Sequence, residues 1–157
     1  MALRTIYPCY FDVSLTRKEG RRVAKSEAVP QPNLSRLARA AKSAGITVAE
    51  GNTTYESKNN CFINKTDKSI AMAFEGAAIP TDGSVEKIGD SAFAGAGYLT
   101  ELVIPSNIVA IGAYAFHGSS ITSVSIPSSV TFIGNNAFNS CNNLVEVTFP
   151  GTVETMG

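Results

Sequence analysis

The stretch ITSVSIPSSVTFIGNNAF, residues 121–138, repeats LTELVIPSNIVAIGAYAF, residues 99–116, in the placing of nearly every apolar residue. Working outward from this pair, Ile88-Gly89, Ile111-Gly112, Ile133-Gly134 and Met156-Gly157 recur at steps of 23, 22 and 23. Each of the first three leads to an alanine-phenylalanine pair: Ala92-Phe93, Ala115-Phe116 and Ala137-Phe138. An aliphatic residue stands three places before each isoleucine or methionine: Val85, Ile108, Val130 and Val153. A fixed period of this length means stacked supersecondary units, each burying a hydrophobic face against its neighbours.

Within each unit the apolar residues alternate. Leu102 and Ile104, Val124 and Ile126, and Val147 and Phe149 fall at period two, the pattern of a half-buried strand. Pro105, Pro127 and Pro150 follow at once, and a residue with no N–H to donate ends the ladder at the same place in every coil. The alternation directs Glu101, Val103, Ser123, Ser125, Glu146 and Thr148 away from the core, onto a face that could receive a protein partner. The IGxxAF segment is expected to return the chain on the opposite side as a turn of helix. Phe93, Phe116 and Phe138 are then expected to stack as an aromatic spine in the solenoid interior.

This pattern resembles the BspA-like leucine-rich repeats, over roughly Asn52 to Gly157. The resemblance implies a β-rich solenoid of about three coils that serves protein interaction or adhesion. GNTTYESKNNCFINKTDKSIAMAF, residues 51–74, is similar to the irregular hairpin insertion that this family places between repeats. The sequence stops at VETMG, where a further alanine-phenylalanine pair is expected, so the last coil reads as incomplete and uncapped.

Residues 1–45 carry no trace of the repeat. TIYPCYFDV suits a strand, with Pro8 at an edge or a start. NLSRLARAAKSAG, residues 33–45, reads as a short amphipathic helix with Leu34, Leu37, Ala38 and Ala41 on one face, Asn33 as N-cap and Gly45 just past its end. ITVAE then reads as a second strand, which makes the order strand, long basic loop, helix, strand. The fold class is therefore α+β: a β-α-β segment over 1–50 and a repeat solenoid over 51–157.

The basic loop is LTRKEGRRVAK, residues 15–25. Through Glu50 there are nine lysines and arginines against four acids, and the remainder reverses this with four against nine. Such asymmetry suggests two parts with different partners, the basic one suited to a phosphate-rich ligand. Guanidinium forks match phosphate oxygens bidentately, and Gly20 lets the loop approach a backbone closely. With Tyr7, Pro8, Tyr10, Asp12, Arg17, Glu19, Gly20, Arg21, Arg22, Lys25, Ala28, Val29 and Pro32 at their spacing, this segment resembles the small, nineteen-kilodalton RNA-binding subunit of the signal recognition particle. The resemblance implies that Arg17, Lys18, Arg21, Arg22 and Lys25 face the particle RNA. It is limited to about the first fifty residues, because the tryptophan-containing segment, the second helix and the lysine-rich tail of that family do not follow.

Three dispersed cysteines and one histidine exclude a disulfide framework and argue against a zinc site. The first residues lack the apolar run of a secretory signal, and no stretch approaches a membrane span, which places the chain in the cytoplasm without membrane insertion. No phosphate-loop, GxSxG or nicotinamide fingerprint occurs. Glu101 and Glu146, two strands apart, stand about 10 Å from each other, beyond the range of an inverting glycosidase pair. The reading is a non-enzymatic binding protein with no cofactor and no metal. It binds signal recognition particle RNA through the basic loop and a protein through the repeat face. The alternatives are a repeat protein whose N-terminal segment is only a cap over the first coil, and an artificial or chimeric fusion.

Overall fold

A computed structural model describes residues 46–157 in full and, of the first 45, the backbone strands at 3–7, 11–18 and 21–24. The helix expected over residues 33–45 lies outside the described residues, as does Lys25.

The N-terminal strands are β1 (Leu3–Tyr7), β2 (Phe11–Lys18), β3 (Arg21–Ala24) and β4 (Ile46–Val48). They form one sheet in chain order, antiparallel except for the parallel pairing of β3 with β4. The long basic loop is thus corrected to a hairpin of β2 and β3. Phe11, Val13 and Leu15 alternate with Asp12, Ser14 and Thr16, and this period-two pattern extends the strand into the basic residues.

After β4 the chain turns through Gly51, at φ 86°, where an L side chain is disfavoured. Asn52 Oδ1 accepts from the N–H groups of Thr54 and Tyr55 at 2.9 and 2.8 Å, closing the turn into the next strand. A meander follows: β5 (Tyr55–Lys58), β6 (Cys61–Asn64) and β7 (Ser69–Ala73). Asn59 and Asn60 link β5 to β6, both at positive φ, 48° and 57°, as a two-residue hairpin turn requires. Over the stretch where a hairpin insertion was expected, the structure has three antiparallel strands.

The coils carry two parallel ladders. β8 (Lys87–Ile88), β10 (Ala110–Ile111), β12 (Phe132–Ile133) and β14 (Thr155–Met156) continue from β7 in one sheet. β9 (Glu101–Val103), β11 (Ser123–Ser125) and β13 (Glu146–Thr148) form the other. Between them lies a continuous core that includes Val85, Ile88, Ile108, Ile111, Ile121, Val130, Phe93 and Phe116, all almost fully buried. The aromatic spine is present. Phe93 and Phe116 stack at 5.3 Å, and Phe116 and Phe138 stack at 5.3 Å and 9°. In the last coil the equivalent positions are more open: Phe149 is 45% and Met156 59% exposed.

The IGxxAF segment is not helical. Ser91, Tyr114 and Asn136, one per coil, have φ of 57°, 55° and 56°, which no right-handed helix contains. The N–H groups that a helix would use internally point along the stack instead: Ser91 donates to Ala113 O at 2.9 Å, Phe93 to Ala115 O at 2.7 Å and Gly95 to His117 O at 2.7 Å. The next coil repeats this from Tyr114, Phe116 and Gly118. Coil-to-coil bonding thus outcompetes the local helix.

The glycine of each Ile-Gly pair is where backbones approach. A Cβ on Gly112 would lie 2.7 Å from Gly89 C and from Asp90 N; one on Gly134 would lie 2.6 Å from Ala113 N. Only glycine fits at that distance.

Candidate binding faces

The first candidate is the β2–β3 hairpin. Its register sets Arg17 opposite Arg22 and Lys18 opposite Arg21. Four basic residues therefore occupy two adjacent rungs.

The second candidate is the outward face of β9, β11 and β13. Their register aligns Glu101, Ser123 and Glu146 in one row and Val103, Ser125 and Thr148 in another. All six side chains are exposed, Val103 at 82%, while Leu102 and Val124 between the rows are buried. One further row was not anticipated from the sequence. Thr100, Thr122 and Val145 just precede the strands, joined by Thr122 N to Thr100 O at 3.0 Å and Val145 N to Thr122 O at 2.8 Å, and Val145 is 90% exposed. The signal was available, since the repeat period aligns these residues as it aligns the glutamates. Among the described residues the ion pairs are Lys58 with Asp82 and Lys68 with Glu86, so no cation pairs with Glu101 or Glu146.

Among the described residues, other chemistry-bearing groups do not assemble. His117 stacks edge-on against Tyr114 at 5.8 Å and 83°, and its buried Nδ1 has no hydrogen-bond partner, so no relay orients it. Cys61 is fully buried, its thiol pushed up to about 12 by desolvation, and Cys141 Sγ donates to Phe116 O at 3.1 Å. A cleft of about 260 Å³ between the end of β7 and residues 91–96 contains one acid, Glu75, beside Tyr98, whose phenol burial holds protonated. No group of metal-ligating side chains is found among the described residues, nor any helix long and apolar enough to cross a membrane.

Both parts of the sequence have known relatives. The BspA type leucine rich repeat region, in six copies, matches residues 58–157, and the SRP19 protein family matches residues 5–86. The chain belongs to both families. It is a composite of an SRP19-like first part and a BspA-type repeat module, and the two matches overlap over residues 58–86. The SRP19 match runs beyond the limit near residue 50 expected from the sequence. The chain is 39% identical over 72 residues to the signal recognition particle 19 kDa protein of Haloferax volcanii, across 43% of this chain and 78% of that protein. To the corresponding protein of Methanoregula boonei it is 34% identical over 82 residues, across 43% of this chain and 90% of that protein. In three dimensions it is similar to a leucine-rich repeat protein from Eubacterium ventriosum, with a TM-score of 0.59, 25% identity and 69% of this chain covered. The chain spans about 30% of the length of that repeat protein.

β4 is a strand, as expected, but it does not extend the repeat sheet. It pairs with β3, and it meets the insertion through side chains: Ile46 packs in a buried cluster with Tyr55, Phe62 and Phe74. Tyr55 and Phe62 stack at 4.8 Å, and Val48 N donates to Ser57 Oγ at 2.9 Å. The turn at Gly51 and Asn52 redirects the chain, and β4 and β5 lie in separate sheets.

Proposed function

We propose that this chain is a cytoplasmic, non-enzymatic adaptor that contacts signal recognition particle RNA through residues 1–50 and a protein through the repeat module, residues 51–157. Arg17, Lys18, Arg21, Arg22 and Lys25 are the RNA-contacting residues in this reading. The observation that carries it is the pairing of Arg17 with Arg22 and Lys18 with Arg21 in a segment matched by the SRP19 family. Phosphates would be neutralised by these basic residues, so affinity comes chiefly from charge neutralisation and falls steeply with salt. The outward face at Glu101, Val103, Ser123, Ser125, Glu146 and Thr148 is the protein-contacting surface. It is exposed and free of internal ion pairs among the described residues.

The test is binding of a duplex RNA with a looped tip at several salt concentrations, for the natural chain and for R21A/R22A. The double variant is expected to flatten the slope of log K against log salt by about 1 to 2 units. An unchanged slope and affinity would show that these arginines do not touch RNA.

A second reading, in which the N-terminal segment is a cap over the repeats, draws support from the Ile46, Tyr55, Phe62 and Phe74 cluster. Under that reading R21A/R22A leaves RNA binding at the level of any basic protein, and I46A lowers the stability of the repeats.

A further inference from the structure

From Ile88 to Gly157 the sequence contains Asp90, Glu101, Glu146 and Glu154 and not one lysine or arginine. Of these acids, Asp90 is engaged, its Oδ1 accepting from Ala113 N at 2.8 Å, and Glu154 precedes β14 on the other sheet. Glu101 and Glu146 remain on the outward face, at the two ends of a single row with Ser123 between them. Two strand spacings of about 4.8 Å separate them by about 9.6 Å.

We infer that this face receives a cationic peptide segment in the polyproline II conformation, with lysine or arginine at positions i and i+3. The inference rests on the reading of this face as a protein-contacting surface, and deepens it by naming the partner. Three physical arguments converge. A carboxylate row with no cation of its own sheet complements a basic ligand in charge. A peptide laid across a sheet face finds no backbone ladder to join, because ladders form at edges, so it must keep its own backbone solvated, as polyproline II does. In that conformation residues i and i+3 share a face at about 9.3 Å, which matches the glutamate spacing, whereas positions i+2 and i+4 of a β-strand miss it by about 3 Å or more. Exposed Val103, with the hydroxyls of Ser123, Ser125 and Thr148, supplies contacts for proline rings and peptide carbonyls between and beside the charges.

The test uses the full chain and fluorescence anisotropy of labelled proline-rich peptides. One peptide carries two lysines three positions apart, a second carries them two apart, and a third carries glutamines instead. The expected result is binding of the first peptide, severalfold weaker binding of the second, and about tenfold weaker binding of the third. E101Q/E146Q should bring the first peptide down to the level of the third and abolish its salt dependence, with an unchanged circular dichroism spectrum. Ser125→Trp, which blocks the face without altering its charge, should abolish all binding. If lysine and glutamine peptides bind equally and both are lost in Ser125→Trp, the face is a binding surface without charge selection; the inference falls and the underlying reading stands. If the first peptide fails to bind, or binds unaffected by either variant, the inference is wrong. Insensitivity of every bound peptide to Ser125→Trp would count against the underlying reading as well.

Discussion

Replacing Gly112 by alanine forces two coils apart at the point where they touch most closely. The added Cβ would lie 2.5 Å from Asp90 Oδ1 and 2.7 Å from both Asp90 N and Gly89 C. Two of those atoms are backbone and cannot rotate away, and ordinary carbon contacts need about 3.5 Å or more, so the coils must part locally by about 1 Å. Gly112 N to Ile88 O and Ala113 N to Asp90 Oδ1, both 2.8 Å, cross that gap. Stretched by about 1 Å they leave hydrogen-bond range, at about 1 kcal/mol each. With about 1 to 3 kcal/mol of overpacking, the total is about 3 to 5 kcal/mol. Gly118 is the control, because its φ is 65° but a Cβ there meets nothing within 4 Å. Alanine at Gly118 carries only left-handed strain of about 1 to 2 kcal/mol, offset by about 0.4 to 1 kcal/mol of lost unfolded-state freedom. Urea unfolding followed by circular dichroism should therefore rank Gly112→Ala well below Gly118→Ala in stability. If Gly112→Ala costs no more than Gly118→Ala, close approach of the coils is not what requires glycine in the Ile-Gly pair.

Ile126→Ala should cost about 2 to 5 kcal/mol, while Ser125→Ala should change stability by less than about 0.5 kcal/mol, in the same urea experiment. Equal losses would mean the strand register is off by one. Cys61 should resist alkylation until the chain unfolds, and its raised thiol pKa has a signed consequence. Above the ordinary value of 9.0 the unfolded thiol ionises while the folded one, at about 12, does not, so stability falls as pH rises through that window. Cys61→Ala should unfold with a shallower loss between pH 9 and 11; an identical pH slope would refute burial as the cause.

The solenoid is legible in the sequence because its determinants recur. Four Ile-Gly or Met-Gly positions, three Ala-Phe pairs and three strand-ending prolines each repeat one constraint, and the outward direction of Ser123 and Ser125 follows from Val124 and Ile126 facing in. The returning segment is harder to read. Local spacing at Ala115 and Phe116 suits a helical turn, but the N–H groups of Tyr114, Phe116 and Gly118 find carbonyls in the next coil, a partner that no short window of sequence contains. The basic hairpin was hidden for a different reason. Charge dominates the look of residues 15–25, yet Phe11, Val13 and Leu15 already set the strand period that runs into them. The carboxylate row on β9 and β13 follows from the repeat register, once Glu101 and Glu146 are seen at equivalent positions two coils apart.

Strand β7 pairs antiparallel with β6 on one side and parallel with β8 on the other. It works as a coupling piece between two construction rules: upstream strands may be added by hairpins, downstream ones only by full turns of the solenoid. Among the described residues, no coil-to-coil hydrogen bond beyond Ile88 involves a residue before Tyr55, and the segment's contact with the insertion is the cover it gives Phe62 and Phe74. A joint of this kind leaves the coils' own bonding independent of the hairpin sheet that precedes them.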